Sequence, residues 1–398
     1  KTLQTSLKKL NKTLDKKLYA TNGMGKPFDE WKHDAQPFHW LSEFYQIIHG
    51  NGGFDVIIGN PPYVAKTKIN YIKDEETFKC SDLYGYVIRR TIDLLQNNGM
   101  HGFIVMHNLA FSRDFLDIRK LLIKNSFPIW LSFYSRIPAG LFSGNARVRN
   151  AIYIMQKKCS VQQKIYTTRM HRWFDEQRTA LFNSLLYSES FFVDNQIPMS
   201  ENSLLLQAIS NKNGLPLETH LQKNKSRYPL YFKKIGYNWL TISDVPAPCY
   251  DAKGKDVSQD SACFYANSQE SRDFLLLLLN GKFFFMKWIV LGDDFHVTNK
   301  DLLNFKFPYQ KISESERNKI TALAQEYRKE LLKTVQYKKN AGMNVGTYNT
   351  SKLWYLTDQS DSIFLPYISS RSTELVTELD QLVSKSFISN KGEVDETE

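Results

Sequence analysis

Gly52-Gly53-Phe54-Asp55-Val56-Ile57-Ile58-Gly59-Asn60-Pro61-Pro62-Tyr63 decides the fold of this chain. Phe54 to Gly59 is a short apolar run of the kind found in strands covered on both faces of a parallel sheet. Such a strand delivers Asn60 to the carboxyl edge, where open α/β sheets bind their ligands. Pro61 and Pro62 fix φ at two successive positions and remove two backbone donors, so the chain beyond the edge is stiff and presents carbonyls. Tyr63 adds a flat ring beside them. Taken alone, Asn-Pro-Pro-Tyr also reads as a turn after a strand.

Outward from this strand, apolar runs alternate with helical periods. Asp82 to Asn97 places Leu83, Val87, Ile88, Ile92, Leu94 and Leu95 at helical spacing and stops before Gly99, as at a helix C-cap. His101 to His107 reads as a second strand, Asp114 to Lys124 as a second helix, Ile129 to Tyr134 as a third strand and Val148 to Gln156 as a fourth. The last two are joined by a loop carrying Pro138, Gly140 and Gly144, which predicts an antiparallel pair at the sheet edge. Upstream, Leu3, Leu7, Leu10, Leu14 and Leu18 predict an amphipathic helix, packed on a neighbouring domain or forming a short coiled-coil seam. Irregular, aromatic-rich chain follows it. After Lys157-Lys158 the rhythm is lost, and residues 160–310 mix aromatics with turn residues. Ser313 and Glu316 form a capping-box pattern opening a helix to about Lys338. Ser372 to Ser386 predicts another helix, and Asn390 to Glu398 a polar, acidic, disordered tail.

The predicted fold class is therefore α/β, a partial Rossmann-like sheet followed by a mixed α/β region with C-terminal helices. Four segments are expected: a helical and irregular lead-in at 1–53, the sheet domain at 54–159, a mixed domain at 160–310 and a helical region at 311–398. The 398 residues suffice for two or three cores. Their net charge of +11 favours a polyanionic partner, with the basic excess between about 101 and 350. The widely spaced Cys80, Cys159, Cys249 and Cys263 form no C-x-x-C pair, so neither a zinc site nor a disulfide framework is expected. No apolar run approaches the roughly 20 residues of a membrane span, and a cytoplasmic setting is expected. His101 and His107 flank a strand but read as satisfied polar groups rather than general bases.

The glycine-to-tyrosine stretch, Asp82-Leu83-Tyr84, Gly99 before Phe103-Ile104-Val105, and Leu141-Phe142 ahead of Asn150-Ala151-Ile152-Tyr153-Ile154 together resemble the gamma-class amino-methyltransferases of type II restriction-modification systems. The type IIG enzymes and phage-exclusion methyltransferases are the most similar. The resemblance implies DNA adenine-N6 methylation from S-adenosylmethionine, without a metal, in double-stranded DNA whose target adenine is flipped out. It gives the catalytic positions to Asn60, Pro61, Pro62 and Tyr63, the second stacking face on the base to Phe142, and places near the cofactor to Asn60, Leu83 and Tyr84. Cytosine-N4 methylation, and a DNA-specificity module without catalysis, remain the alternatives.

In that family a strand and Gly-rich turn before this motif hold the methionine end of the cofactor, and nothing before Phe54 fits. The chain is therefore expected to be a fragment that binds S-adenosylmethionine fully only with a missing N-terminal half, which, or another chain, would cover an open sheet edge. Past residue 160 the family places its target-recognition domain. Gly292-Asp293-Asp294-Phe295-His296-Val297-Thr298, Asp301 to Phe305, Pro308, Tyr348-Asn349, Lys352-Leu353 and Leu356-Thr357-Asp358 resemble parts of it. Lys223, Lys225, Arg227, Lys233 and Lys234, interleaved with Tyr228, Tyr231 and Phe232, are the candidate phosphate contacts.

Overall fold

The computed structural model describes residues 2–386 except 24, 70–78, 143–147, 159–163, 184, 237–239, 258–260 and 341. The expected Gly144, Cys159 and tail beyond Asn390 lie outside the described residues. Two compact units emerge, one of residues 1–131 and 150–166, the other of 132–149 and 167–398.

The first unit opens with the expected helix α1 (Thr2–Asn22); α2 (Phe28–Ala35), α3 (Trp40–Glu43) and a π-helical turn at Gln46–Gly50 follow, where irregular chain was expected. The leucine stripe of α1 is not its packing face: Leu3 is 87% exposed, and Leu7, Leu10 and Leu18 are exposed too. The helix is held instead through Asp15, which is buried and accepts from Lys32 Nζ at 2.6 Å and pairs with His39 Nε2 at 2.8 Å. Tyr19 adds a ring contact with Trp31, centroids 5.5 Å apart.

Strand β1 (Phe54–Gly59) pairs in parallel with β2 (Leu95–Met106), matching Gly59 with Phe103. Helix α4 (Leu83–Leu94) joins them, and α5 (Leu116–Asn125) leads into β3 (Ser126–Tyr134). Then come β4 (Asn150–Lys157) and β5 (Ile165–His171), and the strands lie in the order β1-β2-β4-β3-β5. Two expectations are corrected here. Strand β4 is not at an edge: it inserts between β2 and β3, antiparallel to β2, with Met106 opposite Asn150. And β1 is not covered on both faces, since Val56 is 57% and Ile58 78% exposed at the outer position of the sheet. An interior-type sequence thus occupies an edge.

Helix α4 also ends earlier than expected, at Leu94 rather than Asn97. Its last carbonyls need no glycine cap because Lys157 Nζ, reaching from β4, donates to Ile92 O at 2.8 Å and also to Leu95 O. Gly53, at φ +132°, allows β1 to begin against this junction: a Cβ there would lie 2.6 Å from Leu94 O.

The second unit takes up the ends of β3 and β5, with β6 (Ser188–Ser190) beside β5. Regular structure therefore continues past residue 160. Helix α6 (Ser203–Ile209) is followed by β7 (Leu215–Pro216), β8 (Leu221–Gln222), β9 (Pro229–Phe232), β10 (Ile242–Ser243), β11 (Cys249–Tyr250) and β12 (Ala262–Ala266). Next come α7 (Gln269–Asn280), α8 (Lys282–Leu291), α9 (Asn299–Leu303), β13 (Lys306–Phe307) and α10 (Glu314–Leu331). The chain finishes with β14 (Val335–Asn340), β15 (Met343–Tyr348), α11 (Trp354–Ile368) and α12 (Ser372–Ser386), the last as expected. Ser313 and Glu316 do form the capping box of α10, but the helix stops at Leu331 because Val335 pairs with Tyr348 and the chain turns into a hairpin.

Helices α7 and α8 form the centre of this unit's core, with Phe274, Leu275 to Leu279, Phe283 to Phe285 and Trp288 all buried. The chain bends 61° between them. At the bend, Asp361 of α11 is buried and accepts from the Lys282 backbone N–H at 2.9 Å, a cap supplied from a distant helix. Gly281 makes room for it, since a Cβ there would lie 2.2 Å from Asp361 Oδ1. Burial pushes the Asp361 carboxyl up to about 7, partly opposed by the Lys282 N–H. With the folded-state pKa above the ordinary carboxylate value of 3.8, the contribution to stability is full below about pH 4 and is lost as pH rises through 7. Asp361→Asn is therefore expected to flatten the fall in stability between about pH 4 and pH 7, a loss on the order of a few kcal/mol in the parent chain, in urea melts at each pH. An unaltered pH slope in the variant would exclude this role.

Candidate functional site

The pairing of the first unit brings three chain ends to one edge: the exit of β1 at Asn60, the exit of β2 at Met106 and the start of β4 at Asn150. Pro61 is buried while Asn60 is exposed, and among the described residues the Asn60 side chain makes no hydrogen bond. An amide at the rim, ahead of a stiff prolyl pair of which Pro61 is buried, keeps both its oxygen and its nitrogen available to a ligand.

Tyr63 is half-buried and fixed by its hydroxyl, which donates to Ile104 O at 3.0 Å and accepts from Asn150 Nδ2 at 3.3 Å. Burial pushes its phenol up to about 12, with the Asn150 amide pulling the other way. Asn150, buried, also donates to Val105 O at 3.4 Å, so one side chain ties the motif to β2 and β4 at once. Sequence reasoning quoted Asn150 without assigning it a task; a polar residue opening an apolar strand is the signal that could have found it.

The chain after Tyr63 is clamped. Ala65 bridges Asp82, Lys66 N donates to Ser81 O at 2.8 Å, and Leu83 N donates to Val64 O at 2.9 Å. Asp82 caps α4 through the Tyr84 N–H, and burial raises its carboxyl above the ordinary range. Tyr84 is fully buried, edge-on to Tyr63 at 6.1 Å and stacked on Phe115 at 4.9 Å, with its hydroxyl donating to Asn108 Oδ1 at 2.9 Å. These contacts make Tyr84 a support for Tyr63, and its place near a cofactor, like that of Leu83, rests on the resemblance alone. Leu83 remains half-buried beside it. Arg119, buried in α5, donates to Leu109 O and Ser112 O at 2.8 and 2.7 Å and holds the loop beyond β2 that carries Asn108.

His101 is satisfied as expected, with Thr91 Oγ1 at 2.8 Å and Tyr153 Oη at 3.1 Å, and burial lowers its pKa to about 4. No group of His, Cys, Asp or Glu among the described residues is placed to hold a metal ion. Phe142 belongs to the second unit and is half-buried; its stacking task rests on the resemblance alone.

Tyr63→Phe is expected to cost about 1–2 kcal/mol, because it leaves the buried Asn150 amide short of a partner. A thermal melt checks it, and a change of a few tenths would count against the clamp.

In the second unit, Gly292 to Thr298 is a pinned loop. Asp293 accepts from the N–H groups of Phe295 and His296, and buried Asp294 pairs with Arg172 and Arg149. Of the five candidate phosphate contacts, Lys223, Lys225, Arg227 and Lys234 are exposed. Arg227 is turned onto its neighbour, with Nε donating to Tyr228 Oη at 2.7 Å, and Lys233 Nζ is half-buried and donates to Thr347 Oγ1 at 2.6 Å. Phe232 is core.

Residues 1–136 match the family model described as Eco57I restriction-modification methylase. A Methanocaldococcus jannaschii protein described as a type II restriction enzyme and methyltransferase, RM.MjaORFECS2P, is 36% identical over 126 residues, 31% of this chain. The match spans about 10% of the length of that relative. Among solved structures, the type IIL restriction-modification enzyme MmeI in complex with DNA is 12% identical with a TM-score of 0.48, over 83% of this chain and 57% of that one. The type IIG restriction endonuclease BpuSI is 11% identical with a TM-score of 0.27, over 84% and 54%.

Proposed function

From the restriction-modification methylase segment at residues 1–136, we propose that this chain supplies the target-amine side of S-adenosylmethionine-dependent adenine-N6 methylation in duplex DNA, within a restriction-modification or phage-defence enzyme. The observation that supports this reading is the uncommitted Asn60 amide at the rim, ahead of buried Pro61 and the doubly fastened Tyr63.

The N6 lone pair of adenine is delocalised into its ring, so the nitrogen must pyramidalise before it can attack a methyl sulfonium. Two acceptors aimed at its two hydrogens favour that change. Asn60 Oδ1 and the Pro61 carbonyl are the pair assigned to this task, and holding the amine between them stabilises the reacting geometry without a formal base. The base must first leave the duplex at a cost of a few kcal/mol, offset in part by stacking on Tyr63.

The methionine end of the cofactor needs a strand, a Gly-rich turn and a helix. Before β1 the described residues form only helices and a π-helical turn, so they do not fit that end of the group. We assign this chain the target side alone and expect it to be inactive by itself.

Nucleoside analysis of DNA methylated by the complete enzyme tests the reaction: N6-methyladenine is expected, and N4-methylcytosine would replace the assigned base. Calorimetry of this chain with S-adenosylmethionine tests the division of labour, and tight binding would overturn it. Duplex binding by an enzyme that never transfers a methyl group would leave a specificity module.

A further inference from the structure

The hairpin of β14 and β15 belongs to a three-stranded sheet in the order β11-β15-β14. From Gln336 to Asn340 every residue of β14 is exposed, on both faces of the ribbon, including Tyr337 at 52%. The outer strand β14 gains little from the core, whereas β15 turns Gly346 and Tyr348 inward, so the composition of β14 answers to something else. Residues 335–348 contain Lys338 and Lys339, the amides Gln336, Asn340 and Asn344, and no acidic residue.

The register sorts these side chains. Gln336 pairs with Thr347, Lys338 with Val345 and Asn340 with Met343, which places all six on one face. Lys233, just beyond β9, reaches the same face through Thr347 Oγ1. Its ammonium is disfavoured first by burial and then by the charge of Lys338, which places the two lysines within electrostatic reach of each other. On the opposite face Lys339 pairs with Asn344, and Tyr337 leans on Tyr250 with centroids 6.1 Å apart. Asp251, which follows β11, accepts from the N–H groups of Lys253 and Lys255, at 2.8 Å each.

We propose that the Val335–Tyr348 ribbon, with Lys233, is the element that enters the major groove of duplex DNA. This rests on the DNA reading of the preceding section and names the part that makes contact. A two-stranded ribbon fits a major groove, its lysines meet phosphates or guanine edges, and Gln and Asn amides match the adenine edge. The second explanation for lysines on an outer strand is that they keep it from pairing with other chains.

The test is fluorescence anisotropy of a labelled mixed-sequence duplex against this chain over a range of salt concentrations, for wild type, Lys338→Ala/Lys339→Ala and Gln336→Ala/Asn340→Ala. The lysine variant is expected to lose about tenfold in affinity and to lower the log-log salt slope by roughly 2. The amide variant should leave the slope unchanged and narrow the spread of affinities among duplexes of different sequence. Wild-type melting temperatures in both variants would show that the fold is intact. Wild-type binding with unchanged slope and affinity in the lysine variant, especially with new aggregation, overturns the ribbon while the DNA reading stands; absence of duplex binding by the wild type overturns both.

Discussion

Asn60→Ala is expected to slow methyl transfer by the complete enzyme about 10²- to 10³-fold, the usual effect of deleting one preorganised polar group that acts on the reacting atoms. Stability should move by less than about 0.5 kcal/mol, because the Asn60 side chain is exposed and makes no hydrogen bond among the described residues. The separation is the informative part. A slow enzyme with a wild-type melt places the loss in the chemistry, whereas a variant transferring at the parental rate removes Asn60 from the site. Asn60→Asp keeps an oxygen acceptor at the same place and should retain more activity than alanine. Duplex affinity is expected to stay nearly level in the alanine variant, which touches no charge, and to fall modestly in the aspartate variant, which adds a negative charge facing DNA.

The second large effect lies in the other unit, where Arg328 reaches from α10 to the carboxylates of Asp244 and Asp273. Asp273 is completely buried, and Arg272 also contacts both carboxylates, at 3.2 Å to Asp273 and 3.7 Å to Asp244. Asp244 Oδ1 and Asp273 Oδ2 have no hydrogen-bond partner among the described residues. The network is therefore already short of donors. Arg328→Ala would leave one guanidinium for the buried Asp273 carboxylate and the largely buried Asp244, at an expected cost of about 3–5 kcal/mol. In urea the midpoint should fall with the slope unchanged. Adding Asp244→Asn and Asp273→Asn should recover much of the loss by removing the stranded charges, and a triple variant no better than Arg328→Ala would show that the cost is packing rather than charge.

What was legible in the chain was local. The strand at Phe54 to Gly59 follows from a short apolar run, and α10 begins at its Ser313–Glu316 box because a cap involves residues only three apart. Helix α12 matched because its leucines repeat at the helical period. The missed features depend on distant partners. Helix α10 was expected to run to Lys338 because its polar residues suit a helix as well as a ribbon; only the pairing of Val335 with Tyr348 chooses between them. The leucines of α1 predict a buried stripe, yet a stripe does not say what covers it, and here Asp15 and Tyr19 make the attachment.

The same division runs through the candidate site. The amino-acid order alone determined a stiff Asn-Pro-Pro-Tyr segment beyond a strand, with its chemistry of acceptors and an aromatic face, since covalent geometry and nearest neighbours suffice for that. Only the tertiary structure decided that β4 inserts beside β2, bringing Asn150 to the Tyr63 hydroxyl, that Tyr84 is a buried support, and that β1 lies exposed at the outer position of the sheet. Strand order and burial are set by which surfaces meet across tens of residues, and that choice depends on the summed packing of the whole unit rather than on any local stretch.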